Sequence, residues 1–409
     1  MDAVDRIRER AAAKKSGMIE LQRALTAVAA ISPQSGGTGE WEKGQVLIER
    51  LEALGFPAHE MHAAPDPRVP AGKRPNIVVT VPGSSDERTL WIMSHLDIVP
   101  PGESSLWSSD PYTLVVQGDS IIGRGVEDNQ QGLVSSVFAA VVLRELGLTP
   151  RLTVKLLFVA DEETGSELGI QHVLSHTDMF RPGDWALVPD SGSADGAEIE
   201  VAEKSLLWLK LRTRGKQCHA STPQKGVNAF RAASHLVVRL GELETLFPQR
   251  DPLFDPPLST FTPTRKEANV PNVNTLPGDD VFYLDSRILP MVDVDAVLAA
   301  IRKISGTVEK DFGVKVELET VQRSSSPATP ADSPLVKTLA RAVKKVYGVD
   351  GRTVGIGGGT VGAFLRKKGI HTAVWSRLEE NAHEPNERCL VSNMVGDCAV
   401  MAALMLGEV

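Results

Sequence analysis

The stretch "LTVKLLFVA", residues 152–160, is apolar on both faces. A strand with one wet face alternates in polarity. A strand without one has to lie inside a sheet that is covered on both sides. Just before it, "GLVSSVFAAVVLRELG" (132–147) reads as a buried helix. "NIVVTV" (76–81), "TLWIMS" (89–94) and "WALVP" (185–189) read as further strands. Short apolar strands separated by helices predict an α/β core, a mixed and largely parallel sheet flanked by helices.

Near Glu203 the texture changes. In "KSLLWLKLRTRG" Leu207, Leu209 and Leu211 alternate with Trp208, Lys210 and Arg212, so one face of this strand is wet. A helix follows over residues 228–246, then the Pro-rich "DPLFDPPLSTFTPT", the half-exposed strand "DVFYLDSRILP", a helix over 294–305 and the alternating "VKVELETV". This β-α-β-β-α-β-like order predicts a small α+β open sandwich. "SSSPATPADSP" (324–334) reads as a linker, and beyond it the α/β pattern returns. The predicted organisation is a discontinuous catalytic domain, 1–202 and 326–409, interrupted by a lid domain, 203–325.

Composition narrows the function. Against 44 basic residues stand 52 acidic ones, a net charge of −8 without basic blocks, which argues against nucleic acid as a partner. Three cysteines among 409 residues are too few for a disulfide framework and suit a reducing compartment. No apolar run is long enough to span a bilayer, and the N-terminus lacks the apolar core of a signal peptide. The expectation is a soluble, cytoplasmic protein.

The strands end in chemistry. "TLWIMS" runs into His95-Leu96-Asp97, "LLFVA" into Asp161-Glu162-Glu163, and "WALVP" into Asp190. In open parallel sheets the binding crevice lies beyond the C-terminal strand ends. Two other segments reach that edge: "IIGRGVEDNQQG" puts Asp128 before a helix, and "NAHEPNE" puts His383 after the strand "HTAVWS". Alone, Glu162-Glu163 is an ordinary solvated helix start. Jointly, two histidines and several carboxylates form a mixed N/O donor set that suits zinc, and shared carboxylates are typical of two-metal hydrolases. Two divalent cations would neutralise the acids, with one acid left over as a base. Rival chemistries fit less well. "HVLSH" (172–176) lacks the glutamate of a zincin motif, "GIGGGT" (355–360) lacks the lysine of a P-loop, and no G-x-S-x-G elbow occurs. Cys218 and His219 are adjacent, so on a strand they face opposite ways.

The segments "MSHLDIVP", "GRGVEDNQQG", "DEETGS", "VPDSG", "GKQCHAS", "NVNTLPG" and "AHEPNE" occur in this order. Together they resemble the acetylornithine deacetylase, succinyl-diaminopimelate desuccinylase and glutamate carboxypeptidase family of two-metal hydrolases. The resemblance implies a zinc exopeptidase-like fold whose lid often dimerises. It implies two metal ions per chain, zinc first with cobalt or manganese as alternatives. One ion would lie at His95, Asp128 and Asp190, the other at Asp128, Glu163 and His383. Glu162 would be general base toward a metal-bridging water, and Asp97 would hold the far nitrogen of His95. The Asp128-Asn129 peptide would be cis. In the lid, His219 would face the oxyanion, in cis or across a dimer, and Asn274 and Arg287 would bind substrate; Gly359 and Thr360, in the catalytic segment, would form a glycine-rich substrate loop. "NQQG" departs from the Lys and Gly that many relatives carry after the bridging Asp. The expected reaction is hydrolysis of an N-acyl amino acid amide. An exopeptidase acting on short peptides is the alternative, and an inactive metal-binding scaffold the remote one.

Overall fold

The computed structural model describes residues 2–407, which divide into two compact units. The first comprises 1–201, 329–354 and 364–409; the second comprises 202–328 and 355–363.

The first unit is built on an eight-stranded sheet. Across it the strands run Glu60–Met61, Ile77–Val81, Leu152–Val159, Ser85–His95, Trp185–Ser193, His371–Arg377, Glu198–Glu203 and Arg352–Ile356. The four in the middle, from Leu152–Val159 to His371–Arg377, are mutually parallel. Ile77–Val81 joins this block antiparallel on one side and Glu198–Glu203 on the other. Leu156, Leu157 and Phe158 are fully buried, so consecutive side chains on opposite faces are both covered. The cover includes the helix Gln130–Glu145, buried without a break from Gln130 to Leu143, and the equally apolar Val391–Leu406, which packs along it. Fully burying one such aliphatic side chain contributes about 1.5–3 kcal/mol, which makes this two-sided core the main source of the unit's stability. No helix among the described residues is long and apolar enough to cross a membrane.

In the second unit a four-stranded antiparallel sheet runs Thr260–Lys266, Asp279–Ile288, Ser205–Arg214, Lys315–Ser324. Leu207, Leu209, Leu211, Phe282 and Leu284 form one buried core with residues of the helices Ala229–Leu240 and Val294–Phe312. Two details differ from the sequence reading. The helix expected over 228–246 breaks at Gly241 into two. The Pro-rich segment holds a strand, Thr260–Lys266. Pro263 is tolerated because the strand is at the sheet edge and its register shifts between Pro263 and Arg265.

A third difference concerns the domain boundary. Residues 355–363 belong with the second unit, not with the catalytic segment 326–409. Hydrogen bonds explain this. Gly355 N donates to Leu253 O at 2.7 Å, Arg287 Nη1 to Gly357 O at 2.9 Å, and Thr360 N and Oγ1 to the Glu203 carboxylate at 2.9 and 2.6 Å.

Candidate metal centre

His95 is the last residue of its strand, and Glu162 and Glu163 follow the neighbouring one within a short turn. Asp161 makes that turn, with φ of +64°. Its carboxylate accepts from Thr164 Oγ1 at 2.5 Å and from Leu168 N at 3.0 Å. The first of the three consecutive acids is therefore structural, and it frees the next two to face the crevice.

Asp190 sits within the strand Trp185–Ser193, which continues past the expected end. Between Val188 and Gly192 this strand advances four residues while its partner advances two, from Val374 to Ser376. The irregularity lifts Asp190 out of the ladder, the usual use of a bulge beside a site. Asp128 precedes the buried helix Gln130–Glu145, and its peptide bond to Asn129 is cis. A Cβ on Gly132 would stand 2.4 Å from Pro189 O, so only glycine lets this helix come up against the Asp190 strand. Asn129 closes the junction by donating to Pro189 O and Asp190 Oδ1, both at 2.6 Å.

These elements bring five expected ligands into one row. His95 Nε2 lies 3.5 Å from Asp190 Oδ1 and 2.9 Å from Asp128 Oδ1. His383 Nε2 lies 3.1 Å from Asp128 Oδ2 and 3.1 Å from Glu163 Oε2. Asp128 is central, with one oxygen toward each histidine. Donor atoms of His95, Asp128 and Glu163, and separately of His95, Glu162 and Asp190, come within 4.8 Å of one another.

The electrostatics follow from this packing. Burial works against a charged His95, yet Asp190, Asp128 and Asp97 reverse that and hold it well above its ordinary value. Hydrogen bonds to Asp128 and Glu163 push His383 up to about 10. Burial raises Asp128, but His383 and His95 more than offset it and keep its carboxyl low. Desolvation lifts Glu162 well above the usual carboxylate range, opposed by His95 and reinforced by Asp190 and Asp97. The acids of the cluster thus favour the protonated form of both imidazoles. The same nitrogen and oxygen donors fit divalent cations.

Asp97 contacts the far nitrogen of His95 as expected and does more besides. His95 Nδ1 is 3.0 Å from the backbone oxygen of Asp97 and 3.5 Å from its carboxylate. The carboxylate also accepts from Glu162 N at 3.1 Å and Glu163 N at 3.0 Å, so it orients the two acids as well as the imidazole. Every acid of the row has a hydrogen-bond partner, whereas the Glu162 carboxylate has none among the described residues.

The expected lid residues lie in the second unit, in two groups. His219 pairs with Thr275 in a short ribbon, its Nδ1 accepting from Ser221 N at 3.1 Å, while Asn274 O accepts from Ala220 N at 2.8 Å. Arg287 stands apart with the 355–363 segment that holds Gly359 and Thr360. Its guanidinium donates to both Asp285 oxygens at 2.7 and 2.9 Å and lies over the Trp208 ring.

Two contacts escaped the sequence reading: the Asn129 side chain on Asp190 Oδ1, and the Glu387 carboxylate, which accepts from Asp128 N at 3.1 Å.

The mixed N/O donor row beyond the C-terminal strand ends is a candidate metal centre, and the family match makes the protein a metal-dependent hydrolase acting on amide bonds. The chain belongs to peptidase family M20/M25/M40, whose model matches residues 91–407. It is 37% identical over 393 residues to an uncharacterized metallohydrolase of Methanocaldococcus jannaschii, covering 92% of this chain and 96% of that one. To a succinyl-diaminopimelate desuccinylase of Polynucleobacter necessarius it is 24% identical over 388 residues, covering 93% and 96%. Its fold is similar to that of aminopeptidase PepT from Bacillus cereus, with a TM-score of 0.77, 21% identity, and coverage of 96% and 98%.

Proposed function

We propose that the chain is a two-metal amidohydrolase that cleaves the amide of an N-acyl amino acid or a short peptide. The row Asp190, His95, Asp128, His383, Glu163 carries this reading, because one central carboxylate faces two histidines and each histidine faces a second acid. One divalent ion would be held by His95, Asp128 and Asp190, the other by Asp128, Glu163 and His383. Zinc is the first choice, with cobalt or manganese as alternatives. Such ions supply Lewis-acid polarisation of a carbonyl and lower the pKa of water.

Glu162 is the proton carrier. Its carboxylate has no competing hydrogen bond, and desolvation raises its proton affinity, so it takes a proton from the attacking water and returns it to the leaving amine. Asp97 fixes the backbone of Glu162 through the amide it holds. Substrate contacts come from His219, Asn274, Arg287, Gly359 and Thr360 of the second unit. Arg287 uses three of its five N–H groups within the unit, which leaves two for a substrate carboxylate. Dimerisation through the lid belongs to the same reading. So does a reducing, cytoplasmic setting, which the free thiols of Cys218, Cys389 and Cys398 support.

The test is a mass-spectrometric screen of N-acyl amino acids and dipeptides against zinc- and cobalt-loaded protein. Chelator-sensitive hydrolysis of members of either class is expected, and the class turned over distinguishes deacylase from exopeptidase. Metal-loaded protein that hydrolyses neither, or chelated protein that works equally well, overturns the reading.

A further inference from the structure

Asp128 and His383 are 255 residues apart in sequence, yet they meet at 3.1 Å. Two loops deliver them; Asn381 and Arg388 brace the His383 loop from within, and each loop is also bonded to the other. Glu127, in the Asp128 loop, is buried, and its carboxylate accepts from Glu379 N at 2.5 Å and Asn381 N at 2.8 Å. Glu387, in the His383 loop, is buried too. Its carboxylate accepts from Gly125 N at 2.9 Å, Glu127 N at 2.9 Å and Asp128 N at 3.1 Å. Each loop thus supplies the acceptors for the other's buried amides, which would otherwise be unpaired. Arg124 ties the two, with Nη1 on Glu387 at 2.7 Å and Nη2 on His383 O at 3.3 Å. Glu380, His383 and Asn386 all have left-handed φ, +57°, +66° and +61°. Non-glycine residues keep such backbone only where the surroundings over-determine it.

We propose that Glu127 and Glu387 are positioning residues that form a reciprocal clasp, which sets Asp128 and His383 relative to each other before any cation arrives. The proposal rests on the ligand set given above. Two or three N–H groups converge on each carboxyl, and both of its oxygens are used as acceptors. Glu127→Gln keeps the shape of the side chain but replaces one acceptor by an NH₂ that faces an amide N–H. The His383 loop then loses this anchor while every expected ligand remains.

The experiment titrates Co²⁺ into metal-free wild type, Glu127→Gln, Glu387→Gln and the double variant. Heat and the visible Co²⁺ spectrum are followed, and a metal-free melt checks folding. Residues that orient ligands typically alter metal affinity by about 10–100-fold, and a loss of that size is expected for one of two Co²⁺ equivalents in each single variant. Because both act through one clasp, the double variant should bind no more weakly than the worse single one. Should Glu387→Gln fail to fold, Arg124→Met replaces it, since that change releases Glu387 and the His383 carbonyl from the same tie. Wild-type affinity and spectrum in Glu127→Gln, or strictly additive losses, overturn the clasp. A wild type that binds no Co²⁺ overturns the ligand set itself, and with it the basis of the clasp.

Discussion

Lys43 has its ammonium buried, with no hydrogen-bond partner among the described residues. Desolvation lowers its pKa to about 8, against an ordinary 10.5, even though Asp97, Glu40 and Glu387 attract its proton. Each tenfold change in proton affinity corresponds to about 1.4 kcal/mol, so burying this charge destabilises the metal-free fold by about 3 kcal/mol. Lys43→Met removes the charge and keeps most of the volume. At pH 7 the lysine is protonated in folded and unfolded chains alike, so the variant should gain nearly the full amount. Between pH 8 and 10.5 the folded lysine is neutral while the unfolded one still binds a proton. Wild-type stability therefore rises with pH in this window relative to the variant, and above 10.5 the difference vanishes. Denaturant unfolding of both metal-free proteins from pH 7 to 10.5 reads this directly. A variant less stable than wild type at pH 7, or a difference that does not change with pH, would refute the reasoning.

Three further outcomes are expected. Glu162→Gln should retain both metal ions and lose roughly 10²–10⁴-fold or more in kcat, whereas Glu163→Gln should lose affinity for one ion; indistinguishable variants would contradict the division of roles. Arg287→Ala should leave metal content unchanged and lower kcat/KM on a carboxylate-bearing substrate by the equivalent of about 1.5–3 kcal/mol, and an unchanged kcat/KM would count against the clamp. Because Asp128 and Glu163 hold His383 at about 10, metal-free protein at pH 7 carries its proton, and a cation has to displace it. Metal uptake should therefore release at least one proton per chain and tighten as pH rises toward 10. Calorimetry in buffers of different protonation heat measures this, and heats independent of buffer would contradict it.

The strand-end residues were legible because the cue is local. An apolar run covered on both faces has to end at a sheet edge, so His95, Glu162, Glu163 and Asp190 could be assigned to that edge from neighbours alone. Asp128 and His383 could be brought to that edge from the helix and the strand beside them, but which ion each would hold needed the family resemblance, since nothing nearby in sequence says that their loops meet. Glu127 and Glu387 were opaque for a related reason. They act on backbone amides more than 250 residues away, and an acceptor of amides leaves no side-chain pattern. The role of Asp97 was only half visible, because its second function depends on the turn that Asp161 makes. Thr260–Lys266 read as loop because Pro263 is a strong breaker signal, and only its place at the edge excuses it. Glycines hid the true allegiance of residues 355–363. That stretch is assigned by hydrogen bonds to Leu253, Arg287 and Glu203, not by its own composition.

Metal stoichiometry of the purified protein and three single variants tests the central claim most directly. Elemental analysis after loading and desalting should give two divalent ions per wild-type chain. Asp190→Ala and His383→Ala should each keep about one, and Asp128→Ala, lacking the shared donor, should keep the fewest. Active wild type with no bound metal, or Asp128→Ala holding two ions as firmly as wild type, would contradict the account.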